Sequence, residues 1–310
     1  MSTVATWCHP ALAFEAQVVL ALRTLCGLST TEIARAFQLS EPAVAKRLVR
    51  TRHKIAVAGI PYRVPPAHLL PERTTAVLGV IYLLFNEGYA ATAGPTLVRG
   101  DLCDQAVRLA GMVAELMPDH PEAGGLHALL LLLHARTAAR SDAAGTLVPL
   151  EEQDRSRWDR PMIAAGLAAV ARALRRETVG PYQLQALIAA CHATAARAED
   201  TDWRQIVELY DQLGAIVPSW TVRLNRAVAV AMRSGPRAGL ELLDTLAADG
   251  DPPRSHLLPA VRADLLRRLG ADAEAVQQYR LALAGTENAG ERAYLARRLA
   301  EVDGRESTMD

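Results

Sequence analysis

Cysteines, long apolar runs and catalytic signatures are all sparse in this 310-residue chain, and each scarcity excludes something. Its four cysteines, Cys8, Cys26, Cys103 and Cys191, lie far apart with no Cys-x-x-Cys pair, so neither a disulfide framework nor a zinc site is indicated. Cytoplasmic thiols are the simple reading. The longest apolar runs, 76–85 and 128–133, fall short of the ~20 residues that cross a bilayer, and no signal peptide precedes them. A cytoplasmic protein with no membrane partner is expected. There is no Gly-rich phosphate loop, no Gly-x-Ser-x-Gly elbow and no His-Glu-x-x-His. His127 and His134 share a helical face but stand two turns, about 10 Å, apart, whereas a helical metal pair uses i,i+3 or i,i+4 spacing. With His192, Asp200 and Asp202 they read as core or capping residues. No enzyme is expected, and with it no catalytic residue, cofactor or metal.

Acidic residues are also missing from one short stretch, 46–54, and that absence points to a partner. Residues 15–55 read as a helix-turn-helix. Ala16, Val18, Val19, Leu20, Leu22 and Leu25 give a first helix its apolar face, and Cys26-Gly27-Leu28 ends it. Ser29-Thr30-Thr31-Glu32 is a capping box for a second helix carrying Ile33, Ala34 and Phe37. After the turn Gln38-Leu39-Ser40, Ser40 caps a third helix, where Pro42 is tolerated because first-turn N–H groups have no intrahelical partner. At roughly 100° per residue, Val44, Leu48, Thr51 and Ile55 share the packing face. The opposite face carries Pro42, Ala43, Lys46, Arg50, His53 and Lys54, flanked by Arg47 and Arg52. Small first-turn residues let such a helix approach base edges while the cations reach phosphates. A solvated basic helix or a protein-docking helix remains the alternative.

Charge is distributed to match. Residues 1–63 hold eight Lys/Arg and three Asp/Glu, yet the whole chain is neutral, so a basic head precedes an acidic body. The head attracts DNA by counterion release, and the body must do something else.

Cys8-His9-Pro10-Ala11-Leu12, Leu28-Ser29-Thr30-Thr31-Glu32-Ile33-Ala34-Arg35-Ala36-Phe37 and Ala45-Lys46-Arg47-Leu48-Val49-Arg50 resemble region 4 of the extracytoplasmic-function sigma factors of bacterial RNA polymerase. The runs 76–89, 154–159 and 199–203 resemble a sub-group of those factors with a long tetratricopeptide-like helical extension. The resemblance implies that the third helix reads the −35 promoter element, with Ser40, Glu41, Pro42 and Ala43 near bases and Lys46, Arg47, Arg50, His53 and Lys54 at DNA. It also implies docking on the RNA polymerase core. A complete factor of this kind carries about a hundred further residues upstream, and only about a dozen precede the region-4-like helices here. A fragment, a truncated paralogue or a separate region-2 chain is therefore expected.

Beyond Gly59-Ile60-Pro61-Tyr62-Arg63-Val64-Pro65-Pro66, which cannot continue a helix, the text is helical. Helices are expected over 72–86, 101–117, 124–140, 160–176 and 180–198. From Asp202 the helices pair, and Gly235 with Leu240 recurs about 35 residues later as Gly270 with Ala275 and Tyr279, the tetratricopeptide period. The repeat is diverged, with Asp244 standing where an aromatic knob belongs. A closed bundle is the competing architecture. The terminal helices 271–283 and 291–302 should cap the array. The polar run 151–160 reads either as a charged helix entry anchored by Trp158 or as an internal network in which Arg155, Arg157 and Arg160 fork onto Asp154, Asp159 or the Glu199, Asp200 and Asp202 cluster; the network is the favoured reading, with an effector or partner pocket as the alternative. Tyr82, Phe85 and Tyr89 read as core aromatics, and Asn86-Glu87-Gly88 as a helix C-terminal turn.

The expectation is an all-α protein with three parts: a DNA-binding head over 1–63, a helical extension over 64–200 and diverged helical hairpins over 201–310, the last offering a concave face to a protein partner. A second reading stays open, in which the hairpins are an interaction scaffold and the head a vestige without promoter recognition.

Overall fold

The computed structural model describes residues 16, 19–20, 23, 29–36, 39–57, 70–175, 179–248 and 255–306. Among them the only strands are two of two residues each, and the rest is helix and turn. No helix among the described residues is long and apolar enough to cross a membrane. The chain divides into two compact units, residues 1–92 with 99–118, and residues 93–98 with 119–310.

In the first unit, α1 (Thr30–Ala36) and α2 (Glu41–Val57) pack together. Their sequence dictates this: Ile33 and Ala34 of α1 and Val44 and Leu48 of α2 are buried, as are the helical Val19 and Leu20 upstream. The turn between them is closed by the Leu39 amide, which donates to the Ala34 carbonyl at 2.7 Å. Phe37, the Glu32 half of the expected capping box and the linker 59–66 lie outside the described residues. α3 (Leu70–Tyr89) packs against α1 and against α4 (Gly100–Leu116). Phe85 and Tyr89 stack at 5.3 Å. Asn86-Glu87-Gly88 forms the last turn of α3, but Gly88 has helical backbone and serves a close approach, since a Cβ there would stand 2.8 Å from the Cys103 amide. Buried Glu87 accepts from Thr92 Oγ1 and faces Arg99 at 3.7 Å.

The first helix of the second unit is α5 (Pro121–His134), which is apolar nearly all round and therefore central. It packs on both α6 (Arg160–Ala173) and α7 (Pro181–Thr194). The helix expected over 124–140 stops at His134, where the Ala135 carbonyl accepts from the Asp159 amide in place of an amide four residues on. The helix expected to reach 198 stops at Thr194, where Arg155 takes the freed carbonyls of His192 and Ala195, both at 2.7 Å. At its other end α7 is capped by Glu122 of α5, whose carboxylate accepts from the Tyr182 and Gln183 amides at 2.9 and 3.1 Å. Burial nevertheless holds the Glu122 pKa above the ordinary carboxylate value.

From there each helix packs on its successor: α8 (Trp203–Ile216), α9 (Trp220–Ser234), α10 (Pro236–Ala248), α11 (Leu257–Leu269), α12 (Asp272–Gly285) and α13 (Ala289–Glu306). Both glycines of the 35-residue recurrence have positive φ, +98° at Gly235 and +74° at Gly270, and each ends the first helix of a hairpin. At the knob position Tyr279 is buried, whereas Asp244 pairs with Arg262 at 2.6 Å. Tyr294, Leu295 and Leu299 of α13 close the last apolar cluster, together with Ala263, Val276 and Tyr279.

Packing is continuous across position 200, where Leu184 and Ile188 of α7 share a core with Ile206, Leu209 and Leu213 of α8. The end of the array is joined to an earlier segment. β1 (Ala93–Gly94) pairs in parallel with β2 (Glu287–Asn288), and fully buried Asn288 donates to the Thr96 carbonyl at 3.0 Å while its Oδ1 accepts from the Gly290 amide at 2.9 Å and caps α13.

Candidate nucleic-acid interface

α2 divides along its length as 3.6-residue periodicity demands. Val44, Leu48 and Thr51 are buried, and the Thr51 hydroxyl is satisfied within the helix by donating to the Arg47 carbonyl at 2.8 Å. Ile55 is half-buried at the end of the same row. With that face committed, the other is fixed in solvent. Ser40, Glu41, Pro42, Ala43, Lys46, Arg50, His53 and Lys54 are exposed and Arg47 is half-exposed, and Pro42, Lys46, Arg50, His53 and Lys54 lie opposite the buried row. Among the described residues, no carboxylate forms an ion pair with any cation of this row.

The first turn is ordered for presentation. Ser40 Oγ accepts from the Ala43 amide at 3.4 Å, and the Ser40 carbonyl accepts from Val44 at 3.2 Å. Glu41 sits in the first turn, where the helix dipole favours an acid, and Lys54 in the last, where it favours a base. Val49 is 66% exposed beside Arg50, an apolar contact surface that charge reading overlooked.

The polar residues singled out in the second unit are structural. Arg155 does not fork onto a carboxylate: besides the two carbonyls it lies over the Trp158 ring, 4.6 Å from the centroid. Asp154 accepts from the Ser156 amide, Asp159 caps α6 through Met162, and Asp202 caps α8 through Gln205. Asp200 pairs with Arg197 at 3.1 Å. His192 stands edge-on to Trp203, and burial, with Arg136 and Arg155 nearby, pushes its pKa down to about 3. His134 Nδ1 contacts Thr137 Oγ1 at 3.1 Å.

The sequence pointed to Arg155, His192 and Glu199 singly but not to the cleft of ≈ 800 Å³ that they help to line in this unit. Its walls are periodic faces: Trp203, Ile206 and Tyr210 of α8, Asn225, Val228 and Met232 of α9, and Leu257, Val261, Asp264 and Arg268 of α11. The i, i+3, i+4, i+7 spacing was the available signal.

An all-α chain with a helix-turn-helix head and a series of helical hairpins is the class these elements define. Residues 8–55 match the family model described as sigma-70, region 4, and residues 73–174 match a family of unknown function (DUF6596). Uncharacterized protein R00370 of Rhizobium meliloti (strain 1021) is 46% identical over 302 residues, covering 97% of this chain and 71% of that protein. The chain belongs to the family of that rhizobial protein, and its head is a sigma-70 region 4 domain. A tetratricopeptide repeat protein from Parabacteroides merdae ATCC 43184, known from its crystal structure, is similar over 93% of this chain and 90% of its own, at 11% identity and a TM-score of 0.44.

Proposed function

We propose that this chain works in transcription initiation as a protein of the extracytoplasmic-function sigma type, laying α2 into the major groove of a −35 promoter element in the cytoplasm while the head docks on the RNA polymerase core. The observation that carries the reading is the cationic row of α2, which forms no ion pair among the described residues, opposite the face of buried Val44, Leu48 and Thr51, within the segment that matches sigma-70 region 4. Ser40, Glu41, Pro42 and Ala43 bring the helix N-terminus to base edges, and Lys46, Arg47, Arg50, His53 and Lys54 reach phosphates and flanking bases. The helical hairpins serve as a platform for a protein partner, for which their cleft supplies the surface. This role requires no catalysis, metal or cofactor.

Anisotropy titrations of duplex DNA at increasing salt test the proposal. Each phosphate contact contributes about 0.9 to the slope of log affinity against log salt, so Lys46→Ala and Arg50→Ala should each flatten that slope by about one unit if they meet phosphate. Loss of sequence preference instead would place the residue at a base. Absence of binding at low salt would defeat the proposal.

A further inference from the structure

The cleft of the helical hairpins is crossed by a piece of the chain itself. The 3-10 turn Leu150–Glu152 leads with Leu150 and Glu151 in the cleft wall. Glu151 accepts from Arg268 Nη2 of α11 at 2.6 Å, and Glu152 pairs with Arg298 and, at 4.0 Å, with Arg297 of α13. Arg297 and Arg298 both lie over the Tyr294 ring, at 5.8 and 5.4 Å. An apolar side chain that lines the cleft is thus followed by two adjacent carboxylates paired with a row of arginines.

We propose that residues 149–152 are a built-in stand-in for a partner, and that the arginine row Arg268, Arg297 and Arg298 with the adjoining cleft binds a protein segment carrying an apolar residue followed by paired carboxylates. The complementarity is already realised within the chain. The carboxylates are the open half of these pairs, Glu151 and Glu152 being 35% and 39% accessible, while Arg268 and Arg298 are held in place by Asp264 and Glu301 as well, so a carboxylate from outside can replace either glutamate on a row that stays ordered. The tether gives the stand-in a high effective concentration, which lowers the apparent affinity for any competitor by the fraction of time the site is occupied. An arginine fork also matches carboxylate geometry better than lysine would.

The proposal rests on the reading of the hairpins as a partner platform, and DNA titration of the same full-length proteins keeps the two separable. The probe is a fluorescein-labelled peptide copying residues 149–154, with a second in which both glutamates are glutamine. The Glu151→Gln/Glu152→Gln chain should bind the first peptide roughly tenfold more tightly than the unaltered chain, the worth of the two ion pairs released, and should bind the second weakly. Adding Arg268→Gln, or separately the more exposed Arg297→Gln, should remove most of the gain, and DNA affinity should not change. Equal affinity of the two chains for the first peptide overturns the proposal, as does binding of both peptides alike. Preference for an oligonucleotide of equal charge, or self-association of the double variant in place of peptide binding, overturns it as well.

Discussion

Arg155 spreads its guanidinium over the indole of Trp158, 4.6 Å from the ring centroid, and from that position closes the C-terminus of α7 by bonding to the His192 and Ala195 carbonyls. One side chain therefore joins the 3-10 turn it sits in to a helix end some forty residues on. Arg155→Ala should cost about 3 kcal/mol, since two charge-assisted bonds are lost and two carbonyls are left unmet. Arg155→Lys should recover little of it, because an ammonium cannot stack flat on the ring. Urea midpoints at unchanged slope are the measurement, and recovery by lysine would refute the stacking role.

His192 gives the fold an acid sensitivity. Burial comes first among the causes of its depressed pKa, followed by Arg136 and Arg155. With a native value of about 3 against 6.5 for the free side chain, the native state binds fewer protons between those limits. The stability contributed is fully present above pH 6.5 and declines as pH falls toward 3. Between pH 6.5 and about pH 4 the loss should reach roughly 3 kcal/mol. His192→Gln should flatten that part of the pH profile in urea denaturation, and an unchanged slope would assign the acid sensitivity to other groups.

Gly235 and Gly270 end corresponding helices but should respond differently to substitution. A Cβ meets nothing within 4 Å at either, so any cost is conformational. Gly270, at φ +74° and ψ 17°, is in the left-handed helical region, and Gly270→Ala should cost about 1 kcal/mol, with Gly270→Asn milder. Gly235, at φ +98° and ψ 157°, occupies a region essentially restricted to glycine, so Gly235→Ala should cost about 2 to 3 kcal/mol. Thermal melts of the three variants would show the order, and equal losses would contradict it.

Asn288 is buried between a carbonyl it must donate to and amides it must accept from. Asn288→Ala should cost about 2 kcal/mol and loosen the start of α13. Asn288→Asp should fare no better, because it keeps the cap but aims a carboxylate oxygen at the Thr96 carbonyl. Hydrogen exchange over 289–295 would detect the loosening, and protection unchanged in Asn288→Ala would dismiss Asn288 as the cap.

Much of this was readable from local chemistry. Val44, Leu48 and Thr51 declare the inward face of α2 by spacing alone, so the outward row from Pro42 to Lys54 follows by elimination. Gly235 and Gly270 announced the hairpin period because no other residue accepts their backbone so readily. Arg155 was not readable in the same way. Its sequence neighbours Asp154 and Asp159 look like partners, but each carboxylate is consumed by an amide two or three residues on, and the acceptors that Arg155 does use are brought near only by α7. The cleft was missed for the same reason. Trp203, Val228 and Arg268 come from three helices whose faces look in the sequence like ordinary core. Around position 200 the loop before Trp203 is polar at its surface while the helices it joins share a core, which a linear sequence does not display.

The pairing of Ala93 and Gly94 with Glu287 and Asn288 bears on how such a protein could be assembled by gene rearrangement. Residues 93–98 belong with the second unit, although residues on both sides of them belong with the first. The polypeptide therefore crosses between the units more than once, and a single splice point within 93–118 would strand either a strand without its mate or a helix without its unit. An exchange of one head for another upstream of α3 spares these crossings but must preserve the packing of α1 on α3. Everything from there on should be inherited as one block.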